Sequence, residues 1–185
     1  MKGIGTGRLS ADHSPKYTRI ERERRYLLRT LPEGLDLKAA HAQITDNYVT
    51  GTRLRLRKRR WVPTNEWTLK LTQKHCPAPP DFSRTLITSI YLNEYEYEML
   101  SVFEANELRK NRYPFEHEGR LYSVDVFLGA LRGLVLAETD FETDAEMDAF
   151  PLPSFVLRDV TREETFTGGR LVGLTAEEIR IEAGK

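Results

Sequence analysis

The segment TRLRLRKRR, residues 52–60, alternates cation and leucine too strictly for a helix with one buried face. A helix would scatter Arg53, Arg55, Arg57 and Arg59 around its circumference, whereas a strand puts them on one face, opposite Leu54 and Leu56. Same-face neighbours on a strand lie about 7 Å apart. At an effective dielectric near 20, two arginines at that distance repel by about 2 kcal/mol before salt screening. The row therefore needs counter-anions, from carboxylates on other strands or from a polyanionic ligand.

The same period of two runs through most of the chain. It predicts roughly eight strands, near 17–29, 42–50, 52–60, 66–74, 84–92, 108–117, 120–128 and 133–142. In the first, Glu21, Glu23 and Arg25 share a face opposite Arg22, Arg24 and Tyr26. In EWTLKLTQK, Thr68, Lys70, Thr72 and Lys74 oppose Trp67, Leu69 and Leu71. In LYSVDVF, Ser123 and Asp125 oppose Tyr122, Val124 and Val126, and further on Glu138 and Asp140 oppose Val135, Ala137 and Phe141. Many antiparallel strands on short turns suggest a closed barrel or a sandwich. The polar face is either solvated or the lining of a barrel. Several cationic rows plus separate carboxylate clusters on one parity favour a closed polar tunnel. Such a lining suits a phosphate chain: Arg and Lys take the oxygens, and carboxylates hold a bridging divalent cation.

Helices are few. LPEGLDLKAAHA (31–42) is expected to hold a short one, and NEYEYEMLSVFEAN (93–106) a better one, capped by Asn93 with Glu96 at the third position. PLPSF (151–155) reads as a rigid loop, FTGGR (166–170) as a turn, and TAEEIRIEAGK (175–185) as a short exposed helix. Residues 1–16 read as a flexible lead-in to a single domain over 17–185. Lys+Arg and Asp+Glu are both 28, a balance that argues against a general nucleic-acid coat. The lone Cys76 rules out a disulfide framework, no apolar run reaches membrane-span length, and the expected location is the cytoplasm. His13, His41, His75 and His117 show no ligand spacing, Trp61 and Trp67 read as packing residues, and Lys58, Arg59 and Arg60 as a solvated strand end.

The ordered set resembles the CYTH domain, or triphosphate tunnel metalloenzyme family. ERERR is similar to that family's opening Glu-x-Glu-x-Lys strand, with Arg25 in place of Lys. TRLRLR looks like its paired-arginine strand (Arg53, Arg55), WTLKLTQK its lysine strand (Lys70), and LRKNRYPF its Lys-x-Arg strand (Lys110, Arg112). SRTLI supplies Arg84, and YSVDVFLGALRGLVLAETDF resembles its acidic hairpin, with Asp125, Glu138 and Asp140. The likeness runs from about residue 18 to 171. Two departures stand out: Leu86, Thr88 and Ile90 replace alternating glutamates on the Arg84 strand, and Ser123 stands where Glu is common.

The resemblance implies a mainly β fold, an eight-stranded closed antiparallel barrel with a few peripheral helices, whose tunnel binds a triphosphate with Mg²⁺ or Mn²⁺. On that basis Arg25, Arg53, Arg55, Lys70, Arg84, Lys110 and Arg112 are expected on the phosphate oxygens. Glu21, Glu23, Glu138 and Asp140 are expected on the metal, with Lys70, Glu21 and Glu23 central to turnover. Asp125 is either a further ligand or an arginine partner. The expected activity is hydrolysis of a small-molecule triphosphate, inorganic or organic. Alternatives are a class IV-type adenylate cyclase, or a non-catalytic module for polyphosphate or an RNA 5′ end. A homodimer is compatible with all of them.

Overall fold

The computed structural model describes residues 17–184. Its strands are β1 (Arg19–Leu27), β2 (Ala42–Val49), β3 (Leu54–Trp61), β4 (Glu66–His75), β5 (Arg84–Leu92), β6 (Ala105–His117), β7 (Arg120–Phe127), β8 (Val135–Asp140) and the two-residue β9 (Arg158–Asp159). They hydrogen-bond in the order β5-β4-β3-β2-β6-β7-β8-β1-β9, and β5 also pairs with β1, so the first eight strands close into an antiparallel barrel. The expected eight-stranded barrel is therefore the fold. β1 borders β5 only over Arg19–Arg22; past that point β9 takes the vacated edge, pairing at Tyr26 and Leu27.

Turn chemistry sets the hairpins. Between β6 and β7, Glu118 and Gly119 both have positive φ (50° and 72°), the two-residue turn whose twist matches the strands it joins. Helix α1 (Glu94–Leu100) starts on a reciprocal cap: the Asn93 side chain accepts from the Glu96 N–H at 2.9 Å, and Glu96 Oε2 accepts from the Asn93 N–H at 2.8 Å. It ends sooner than the periodicity suggests, because Ala105 already belongs to β6.

Two apolar clusters organise the body. Leu27, Leu108, Phe127 and Leu136 point into one end of the barrel, by the parity of Arg25, Lys110, Asp125 and Glu138, and meet Phe166, Leu171 and Ile179 from the C-terminal segment. Tyr26, Tyr113, Tyr122, Val124 and Ala137 face outward and are covered by Leu31, Leu35, Phe150, Phe155 and Val156. The strands β1, β6, β7 and β8 are thus apolar on both sides at this end, which is where the interior stops being a tunnel.

Three expectations about local structure are corrected, and one further helix is found. Residues 31–42 hold turns and no helix: Gly34 sits at φ +83°, and the Asp36 carboxylate accepts from the Lys38 N–H, so the chain bends to lay Leu31 and Leu35 on the outer core. FTGGR is not a simple turn, since a one-turn helix α3 (Gly168–Leu171) begins inside it. The final helix α4 (Ala176–Ala183) buries Ile179 against the barrel end and is not wholly exposed. Helix α2 (Asp144–Ala149), capped by Thr143, has no counterpart in the expected elements. The lead-in, 1–16, lies outside the described residues. Among the described residues no helix is long and apolar enough to cross a membrane.

The junction of α3 with the barrel is tight. A Cβ on Gly168 would meet Tyr48 Oη at 1.9 Å and Cζ at 3.0 Å. Gly168→Ala should cost about 1–3 kcal/mol, as overpacking does. In a Tyr48→Phe background, where the closest atom is gone, most of that loss should vanish, and urea denaturation of the four proteins measures the coupling.

Candidate active site

Above the apolar end the barrel encloses a cavity of about 290 Å³. Glu21, Glu23 and Arg25 of β1 reach it on consecutive inward positions, as do Arg55 and Arg57 of β3 and Lys110 and Arg112 of β6. Arg53 at the head of β3, Lys74 of β4 and Glu138 of β8 complete its charged lining. Tyr48, Thr52, Cys76, Phe82, Thr85 and Thr167–Gly169 form the rest, so α3 edges one mouth.

Ion pairs hold these side chains across the lumen. Arg25 lies between two strands' carboxylates, donating Nε to Glu138 Oε1 at 2.9 Å and Nη2 to Glu23 Oε1. Lys74 pairs with Glu21, and Arg112 Nη2 with Glu138. Two further carboxylates stand behind the lining. Asp46 (1% exposed) accepts from Arg57 Nε and Nη2 at 2.6 and 2.7 Å, with Arg55 Nε 3.6 Å away. Asp125 (0% exposed) accepts from Arg112 Nε and Nη2, both at 2.6 Å, and from Lys110 Nζ. Seven cations against three lining and two buried carboxylates leave a formal charge of +2. The Arg55 Nε is buried and has no hydrogen-bond partner.

The carboxyls divide into two electrostatic classes. Burial works to raise Glu138, but Arg112, Lys110 and Arg25 overcome it and hold the carboxyl well below the usual range. Asp46 behaves alike: burial is outweighed by Arg55 and Arg57. Burial also works to raise Glu21, and Lys74 holds it low. Glu23, by contrast, is pushed up by burial and by the negative charge of Glu138, and Asp140 by burial, Glu21 and Glu138. The β1–β8 wall thus carries more negative charge than its own cations neutralise.

Eight of the residues expected at the site line this cavity: Glu21, Glu23, Arg25, Arg53, Arg55, Lys110, Arg112 and Glu138. Four do not. Arg84 is on the outer face, pairing Asp81, Asp144 and Asp148, because the register Glu21↔Thr85 turns Thr85 inward and Arg84 out beside Arg22. The absent glutamates expected at Leu86, Thr88 and Ile90 concern that same outward parity; the inward positions are Thr85, Ile87, Ser89 and Tyr91. Asp125 is an arginine and lysine partner with both oxygens engaged and no exposure, and is not placed as a metal ligand. Lys70 faces inward opposite Arg57 but beyond the cavity, its ammonium 5.2 Å from the Tyr91 ring centroid. Asp140 is exposed at the end of β8, opposite Glu23. Trp67 is half exposed on the outer face, its ring covered by Lys58 and Arg60. Sequence reasoning passed over Arg57 and Lys74, although both share parity with chosen residues, and Asp46, the lone acid of β2. Its signal was its position across from the arginine row.

No protein-family model matches the chain. An inorganic triphosphatase of Acetivibrio thermocellus is 39% identical over 95 residues, an alignment covering 46% of this chain and 59% of that protein, less than two thirds of its length. An inorganic triphosphatase of Nitrosomonas europaea is 27% identical over 157 residues, covering 79% of this chain and 92% of that protein. The crystal structure of an inorganic triphosphatase superposes with a TM-score of 0.55 at 25% identity, over 82% of this chain and 93% of that one.

Asp125→Ala strands Lys110 and Arg112 in the wall without their buried anion, and should cost about 3–5 kcal/mol in urea denaturation. Glu23 gives a pH signature. A carboxyl raised in the folded state adds stability that is present below its unfolded value, about 4.3, and lost as pH rises through the folded value. Glu23→Gln should therefore gain on the wild type as pH rises from about 4 toward neutrality, then level off. A difference that stays flat with pH contradicts this charge balance. Glu138 and Asp46 act oppositely, their contribution being lost as pH falls.

Proposed function

We propose that this chain is a cytoplasmic hydrolase of the CYTH or triphosphate tunnel type, acting on inorganic triphosphate with Mg²⁺ or Mn²⁺. One observation carries the reading: seven cations from four strands converge on a cavity inside the barrel with a net positive charge and a buried arginine nitrogen that makes no hydrogen bond. The named activity of the two relatives and of the superposed structure supports it.

Phosphoryl transfer asks a protein chiefly for positioning and charge neutralisation. Arg55 and Arg57, oriented by Asp46, and Lys110 and Arg112, oriented by Asp125, present fixed donors to phosphate oxygens. Lys74 and Arg53 lie nearer the mouth edged by α3. Binding is a partner exchange. Phosphate oxygens draw Lys74 from Glu21 and Arg112 from Glu138, and the carboxylates so released face the bound anion. Arg25, held between Glu23 and Glu138, keeps a cation beside them. Water attacking the terminal phosphorus displaces pyrophosphate, whose developing charge falls among donors already in place.

Among the described residues no three Asp, Glu, His or Cys side chains converge as a ready metal cluster. The donors fit a divalent ion in kind. Glu21, Glu23 and Glu138 are hard oxygen ligands on one wall, and a cation would relieve the carboxylate repulsion that adds to burial in raising Glu23 and Asp140. Glu21 and Glu23 would hold the ion, joined by Glu138 once Arg112 turns to phosphate. Bound there, Mg²⁺ or Mn²⁺ would neutralise phosphate charge and acidify water.

Phosphate release from tripolyphosphate, ATP, GTP and thiamine triphosphate, each with Mg²⁺ or Mn²⁺, tests the reading. Tripolyphosphate should turn over fastest. Arg55→Ala should lower kcat by about 10²–10³, the usual loss when a donor to transition-state charge is removed. Glu21→Ala, Glu23→Ala or excess chelator should abolish turnover. Release that persists in all three overturns the metal assignment, and bound triphosphate without any release makes the chain a binding module.

A further inference from the structure

Helix α1 has two faces, and the barrel uses only one. Tyr97 and Leu100 are partly buried beside Leu69 and Leu56 of the outer wall. Tyr95, Met99 and Val102, the last just past the helix end, are 71%, 56% and 79% exposed. A stripe at i, i+4 and i+7 is the form in which a helix presents itself to a groove. Acid surrounds the stripe. The helix carries Glu94, Glu96 and Glu98 and no base, and Glu104 follows it. Glu96 is held in the cap, but the carboxylates of Glu94, Glu98 and Glu104 have no partner among the described residues.

A surface of the opposite character lies elsewhere on the same chain. Where β1 ends and β8 begins, α4 closes a groove of about 450 Å³. Its floor is apolar, with Leu28, Leu131, Leu134, Val135 and Ile179. Its charged lining residues are Arg29, Arg132 and Arg180, with no acid among them. Arg180 shares its charge with Glu177, whereas Arg29 and Arg132 are exposed and have no partner among the described residues. No residue of α1 lines this groove. Strand direction keeps the two apart: Arg19 of β1 pairs with Ile87 of β5, from where β5 runs on to Leu92 and α1 while β1 runs the opposite way to Leu27.

We propose that copies of this chain associate head to tail, α1 of one seated in the arginine-rimmed groove of the next. Tyr95, Met99 and Val102 meet the leucine floor, and the free carboxylates meet Arg29 and Arg132. With 28 acids and 28 bases the chain has no net charge to hold its copies apart. The contact joins unlike surfaces, so repetition closes a ring or extends a chain; it does not make a two-fold symmetric pair. One short helix in one groove is at the small end of specific interfaces, which sets a Kd of about 10–100 μM. The groove shares no lining residue with the cavity inside the barrel, so the association leaves that cavity open.

Sedimentation velocity tests this on the wild type, Tyr95→Ala/Met99→Ala and Arg29→Glu/Arg132→Glu, each first shown to keep the wild-type urea midpoint. Over about 1–500 μM the wild type should grow in mass with concentration, and less so as salt is added. Each double variant alone should associate at least about tenfold more weakly. Mixed in equal amounts, the two variants should form a one-to-one pair and stop there, because one keeps an intact groove and the other an intact helix. A wild type that stays monomeric, variants that associate as the wild type does, or a mixture no heavier than its components overturns the proposal. Binding of decanoate to a monomeric wild type, lost in Arg29→Glu/Arg132→Glu, gives the groove to a small anionic amphiphile and overturns it too.

Discussion

Cations that face into a closed sheet repel one another across the lumen as well as along each strand, and the whole barrel depends on how that repulsion is taken up. Asp46 and Asp125 do most of it from beneath the lining side chains. Each is all but inaccessible to water and each binds two cations of the lining. In a medium of low polarisability such a pair is favourable only when its geometry is good and its remaining lone pairs are satisfied. The side-on contacts of Arg57 with Asp46 and of Arg112 with Asp125 meet that condition. The same contacts fix where the guanidinium edges point. The residues that make the barrel possible are therefore those that preorganise its donors, and folding and site geometry share one set of interactions.

Apolar packing sets the depth of the site. Because β1, β6, β7 and β8 are covered outside by the 31–35 and 150–156 loops and filled inside by the C-terminal segment, they are the rigid half of the wall. They carry Glu23, Arg25, Lys110, Arg112, Asp125 and Glu138. The opposite half, β3 to β5, has a thinner cover from α1 and exposes Trp67 and Ile90 on its outer face. Donors with buried carboxylate partners sit on both halves, Lys110 and Arg112 on the stiff one and Arg55 and Arg57 on the other.

Much of this was legible in the residues. Strict alternation placed the eight barrel strands, since a charge at every second position sets which face of a strand meets the polar part of the lumen. Where alternation weakens, the reading fails. In RTLITSIYL apolar and hydroxyl side chains occupy both parities, so nothing local says which face is inward; the answer comes from the pairing of Thr85 with Glu21 on another strand. Arg84 was misplaced for that reason. Asp125 and Glu138 share a parity, yet one is sealed behind Arg112 and the other lines the cavity, a matter of depth that a strand pattern does not carry. The turns of 31–42 and the helix at α3 respond to what they cover, Leu35 on the outer core and Gly168 against Tyr48, and neither contact is written in its own segment.

The opening strand has charges on both faces, and each face has its own partners. Outside, Arg22 meets Asp144 and Arg24 meets Asp159; inside, Glu21 meets Lys74 and Arg25 meets Glu138. Most strands resist slippage because a one-residue shift carries leucine into water and polar groups into the core. Here a shift in either direction would set a glutamate, Glu21 or Glu23, where Arg22 now meets Asp144, and would take Glu21 away from Lys74. The register of β1 is written in the sign of its charges, so the arrangement that equips the lumen also tells the strand where along its neighbours to stop.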